Sequence, residues 1–143
     1  MKSCRTTFLI ALAACGALLV TPVFAAPDKT CQKYGEYAFA AWTQGLYTQV
    51  GQHFAPEVKA HLSPELLQRM WVQLQAQVGK FQSLGQFSPR TIQGRAAMVA
   101  PMDFADMHMV AVFACNAQGQ ISGFSILDPA RVPGLESSAP ASH

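Results

Sequence analysis

Charge is scarce in this chain: 13% of its 143 residues are Asp, Glu, Lys or Arg, and no basic stripe interleaves with aromatics. That shortage excludes the footprint of a nucleic-acid binder, which needs clustered lysines and arginines to neutralise phosphates. Also missing are a Gly-rich phosphate loop and a Gly-x-Ser-x-Gly nucleophile turn, so no nucleotide or acyl-transfer motif is present. Cysteine is limited to Cys4, Cys15, Cys31 and Cys115, none with a Cys or His neighbour at zinc spacing. No apolar run reaches the roughly 18 residues of a spanning helix. No metal or cofactor is implied, and no internal repeat is visible.

What is present begins with a leader. Lys2 and Arg5 precede an apolar run over residues 8–20, and Val23 and Ala25 occupy the two small-residue positions that a signal peptidase reads. Cleavage after Ala25 is the favoured reading and makes the protein periplasmic or secreted. The competing reading is a lipoprotein cut at Leu12-Ala13-Ala14-Cys15, which would leave a mostly apolar new N-terminus where a polar tether is expected. Removing Lys2 and Arg5 balances the remaining charge at eight of each sign. The chain thus divides into a signal peptide (1–25), one domain (26–127) and a Pro-, Ala- and Ser-rich tail (128–143) expected to be disordered. The mature form carries no membrane span.

Cys31 and Cys115 survive cleavage. In an oxidising compartment two thiols often pair, and Cys31 sits in an otherwise weakly anchored segment, which favours a disulfide over two separate thiols.

Apolar residues at Phe39, Trp42, Leu46, Val50 and Phe54 mark one helical face over 35–54, with Gly45 and Gly51 dividing it into short helices. Pro56 opens a brief helix. Ser63-Pro64-Glu65 starts a stronger one, with Leu67, Met70, Trp71, Leu74 and Val78 as its stripe and Gly79 as its stop. The period then changes, and residues 91–100, 104–115 and 120–127 read as strands joined at Pro101-Met102-Asp103 and Asn116-Ala117-Gln118-Gly119. Helices followed by a meander of strands imply an α+β domain, with N-terminal helices packed on a curved antiparallel sheet. The middle strand is apolar on both sides, Val110 and Val112 against Met109, Ala111 and Phe113, so its second face can meet a partner subunit, a C-terminal segment or a ligand.

Gly45-Leu46-Tyr47, Val50, Phe54, Val58-Lys59 and Leu62-Ser63-Pro64-Glu65, then Trp71, Leu74, Gln77, Gly79 and Phe81, resemble a bacterial domain family of unknown function. So do Val99-Ala100-Pro101 with Phe104, and 119–124. That family often stands ahead of an alpha/beta hydrolase or alone in exported proteins; no hydrolase follows in this sequence. The resemblance covers 34–126 and implies a nuclear transport factor 2-like (SnoaL-like, cystatin-like) cone, often dimeric. It supplies no catalytic residues.

A cone of this class can enclose a pocket. Asp103, Asp106 and His108 are the one acid–base cluster; by alternation Phe104, Asp106, His108 and Val110 share a face, which makes Asp106 and His108 the catalytic candidates. The blander reading is turn chemistry and a solvated strand end. Met98, Met102, Met107 and Met109 with His108 suggest copper, but Met107 and Met109 point away from His108 along one strand, so core filler is preferred. Trp42, Tyr47, Trp71, Phe81 and Phe124 are the ligand-lining candidates against a core reading, and Arg95 is the charged candidate anchor. The expectation is a non-enzymatic domain that binds a small apolar ligand or a protein partner, with a homodimer through the sheet as one form of partner. The alternatives are an isomerase- or dehydratase-like or hydrolase-associated pocket enzyme, and a sheet-mediated interaction module without ligand.

Overall fold

The computed structural model describes residues 29–132; the leader, its two cleavage alternatives and the chain beyond 132 lie outside the described residues. Helices come first: α1 (Lys29–Thr43), α2 (Tyr47–Val50) running into a 3-10 turn (Gly51–His53), α3 (Pro56–Lys59) and α4 (Pro64–Val78). Strands follow: β1 (Phe81–Leu84), β2 (Ser88–Ile92), β3 (Arg95–Phe104), β4 (His108–Cys115) and β5 (Ile121–Leu127), then a 3-10 turn over Pro129–Arg131. The class is α+β, with the helices on one face of an open antiparallel sheet of five strands.

The helix boundaries follow from local chemistry. Gly45 adopts φ +75° and ends α1, while the Leu46 N–H reaches back to the Ala41 carbonyl at 2.8 Å and the Gly45 N–H to that of Trp42 at 3.1 Å. These two bonds satisfy carbonyls that the helix end leaves open. Ser63 caps α4 by accepting the Leu66 N–H at 3.2 Å, with Pro64 in the first turn where its missing donor costs nothing. Gly79, at φ +86°, turns the chain out of α4. In one respect α1 departs from expectation. It begins before Gly35 and encloses that residue, whose missing Cβ leaves room for the Phe113 ring.

The sheet runs β1-β3-β4-β5, and β2 pairs with the same edge of β3 as β1. Two strand boundaries differ from the sequence reading. Residues 91–100 are not one strand, because Gln93 and Gly94 take φ +50° and +76° and form the turn of a β2–β3 hairpin. Pro101-Met102-Asp103 is not a connection but part of β3, which reaches Phe104 before turning at Ala105, Asp106 and Met107. Proline is tolerated there because β1 pairs with β3 from Met102 onward and β2 up to Val99, so residue 101 faces the seam between them. The Gly85 N–H donates to the Pro101 carbonyl at 2.8 Å in that seam, and no donor is asked of Pro101 in return.

One face of the sheet carries the core. Met98, Ala100, Met102 and Phe104 of β3, Met109, Ala111 and Phe113 of β4, and Ile121 of β5 meet Phe39, Trp42, Leu67 and Trp71 from the helices. The other face shows half-buried Val110 and Val112 beside Val99, as the alternation of β4 implied. Cys31 of α1 is bonded to Cys115 at the end of β4, across 84 residues, and anchors the first helix to the sheet. The chain stays ordered past residue 127. Asp128 accepts the Ala130 N–H at 2.9 Å, and Val132 is buried.

Candidate functional site

The aromatic candidates assemble into one continuous stack. Trp42 and Trp71 lie 5.6 Å apart, Trp42 meets Phe124 at 5.1 Å, and Trp71 meets Phe81 at 5.6 Å and Phe104 at 5.8 Å. Phe124 in turn stacks on Phe39 at 4.2 Å, and the Trp42 indole N–H donates to the Leu67 carbonyl at 3.1 Å. Such pairs add stabilisation beyond area burial, and the one buried indole donor is satisfied. Trp42, Trp71, Phe81 and Phe124 therefore fill the space between helices and sheet with each other. Among the described residues no polar or charged side chain is buried, so the interior holds no poised acid or base.

The acid–base cluster has a different composition from the one that alternation suggested. Because the β3–β4 turn falls at Ala105 to Met107, Asp103 and His108 are cross-strand partners, while Asp106 is exposed in the turn. The His108 imidazole Nδ1 stands 2.6 Å from Asp103 Oδ1, and the Ser83 hydroxyl donates to Asp103 Oδ2 at 3.0 Å. The His108 bond first, and the Ser83 bond second, hold the Asp103 carboxyl below the usual carboxylate range. The pair stands on the outer face of the sheet, with 87% of the His108 side chain exposed. The structure does not bring Asp106 and His108 together, and it leaves both in solvent.

The methionines separate in the same way. Met98, Met102 and Met109 are core residues, whereas Met107 is exposed in the turn, so no soft-ligand set converges on His108. No group of three or more His, Cys, Asp or Glu able to hold a metal occurs among the described residues. Arg95 is exposed at the start of β3, on the outer face and next to Arg90 of β2 in the register that pairs Arg90 with Ala97.

Tyr47 is half-buried, as are Phe81 and Phe124, and it lines a surface groove shared with Leu62, Pro64 and Lys59. A second cluster that the sequence did not reveal adjoins it. The His53 ring stacks on Tyr34 at 3.7 Å, Tyr37 meets it edge-on at 5.8 Å, and the Tyr37 hydroxyl donates to Gln49 Oε1 at 2.9 Å. Burial, then the charges of Lys59 and Lys33, push the His53 pKa below its ordinary value of 6.5. His53 is thus half-buried and packed between two tyrosines, whereas His61 is exposed. The spacing Tyr34, Tyr37 on α1 was visible, but nothing local pointed to its partner in another element.

A family model described as "Protein of unknown function (DUF3887)" matches residues 39–124, which span α1 from Phe39 through most of β5. Comparison with curated proteins and with solved structures returns no match.

Proposed function

The chain belongs to this family of unknown function, and on that premise we propose that it is an exported, non-catalytic domain that associates with a second copy through the outer face of its sheet. The observation that carries the reading is the contrast between a filled interior and an outer face that is apolar in the middle and oppositely charged at its ends. Half-buried Val110 and Val112, beside the buried Val99, form the middle; Arg90 and Arg95 stand at the β2–β3 hairpin end and Asp103 at the other. A two-fold axis in the plane of the interface and perpendicular to the strands reverses strand direction. The arginine end of one copy then meets the aspartate end of its partner.

The order of helices followed by an antiparallel sheet agrees with a nuclear transport factor 2-like cone, with the pocket of such cones occupied by aromatic side chains. The leader residues and the Cys31–Cys115 bond support export, since disulfides persist in oxidising compartments. Catalysis by Asp106 and His108 finds no support in this geometry, because both lack the water-poor setting in which a carboxylate or imidazole is tuned.

Light scattering across a concentration series tests the reading. The expected result is a mass of two chains, falling to one in Arg90→Asp and recovering in the Arg90→Asp, Asp103→Arg double variant. A single-chain mass at every concentration rejects it.

A further inference from the structure

The helical layer leaves a groove of about 570 Å³ between the end of α2 and the start of α4. Its floor is apolar: Leu67 is buried, and half-buried Tyr47 and Leu62 pack against the core with their outer sides turned to the groove, beside Pro64. Lys59 is the charged residue that lines it, and the Lys59 side chain makes no hydrogen bond or ion pair among the described residues, its backbone N–H being bonded to the Ala55 carbonyl. Next to the groove, His53 lies within electrostatic reach of both Lys59 and Lys33, and burial first, then those two cations, lower its pKa. The nearby acids do not close the account: Glu57 and Glu65 are exposed and neither lines the groove, and Glu65 is engaged by its own backbone N–H and by Ser63.

We propose that this groove binds a small apolar carboxylate, its hydrocarbon body on Tyr47, Leu62 and Pro64 and its anion on the Lys59 ammonium. The site lies on the helical layer, away from the outer sheet face, so it is independent of self-association. The volume is in the range of small-molecule sites, and an open trough with one cation suits a ligand with an apolar body and a single anionic end. Lysine is the appropriate cation, a compact point charge on a flexible stem that needs no planar partner.

The test is an NMR titration of the oxidised protein with octanoate, and with octanol as the uncharged counterpart. Saturable shifts at Tyr47, Lys59 and Leu62 are expected, about tenfold weaker for octanol and for octanoate with Lys59→Glu, and retained in Lys59→Arg. Equal binding of octanol, unchanged binding in Lys59→Glu, shifts confined to the outer sheet face, or a response that never saturates would each overturn the proposal. Repeating the titration on the Arg90→Asp chain separates the two readings, because loss of the two-chain mass leaves octanoate binding intact.

Discussion

Gly35 lies directly under the ring of Phe113: a Cβ built at Gly35 would stand 2.1 Å from Phe113 Cζ and 2.3 Å from both Cε atoms. The first helix is pressed onto the sheet at this point, with Phe113 wholly buried. Gly35→Ala should gain about 1 kcal/mol of helix propensity and lose more than that to overpacking, typically 1–3 kcal/mol for one extra methyl and more where a ring must move. A urea midpoint below wild type is expected. Adding Phe113→Leu should recover part of the loss, a coupling that a double-mutant cycle reads directly.

Trp71 is 5% exposed and touches Trp42, Phe81 and Phe104. Trp71→Ala removes the ring that joins α4 to both β1 and β3, at a cost of about 3–5 kcal/mol. Circular dichroism melting should show a large loss of stability or no folded state. A variant that melts like wild type would mean that the ring's neighbours close the space unaided.

The Cys31–Cys115 bond closes a long loop, and constraint of the unfolded chain is worth roughly 2–4 kcal/mol in such cases. Denaturation with and without reductant should differ by that order. The pair Cys31→Ser, Cys115→Ser should match the reduced protein and lose its sensitivity to reductant.

His53 makes the fold sensitive to mild acid. Its pKa is lowered in the folded state, so near pH 6.5 the unfolded chain binds more protons than the native one. The stability it contributes is therefore present above the ordinary histidine pKa and is lost as pH falls through it toward the lower native value. Comparing wild type with His53→Phe between pH 7 and 5 isolates this group, since the other histidines are common to both. The wild type should lose more stability over that interval, while Phe preserves the stack on Tyr34.

The helical half of the molecule was legible because its signals are local. Ser63, Pro64 and Gly79 each act within one turn, and α4 runs between them. The sheet was harder because a strand's limits depend on what lies beside it. Pro101 reads as a breaker in isolation, yet it is accommodated because the adjacent edge is split between β1 and β2. Moving the following turn from Pro101 to Ala105 changed which acid faces His108, since each single step along a strand reverses the side. Trp42 and Trp71 read as apolar-face positions in the sequence, but periodicity cannot distinguish a ring packed on another ring from one that lines a cavity. Lys59 and Tyr47 come together from separate helices, which no spacing rule anticipates.

The cross-link also divides the chain mechanically. Everything from Cys31 to Cys115, which includes most of α1, the other helices and four of the five strands, lies inside one covalent ring. A force applied at the two chain ends cannot extend that ring, and among the described residues the strand it can peel from the sheet is β5, held along one side by β4 and at its start by the Ala55 N–H on the Ile121 carbonyl. Processive unfolding from the C-terminal end should therefore strip one strand and then stall at Cys115 until the bond is reduced.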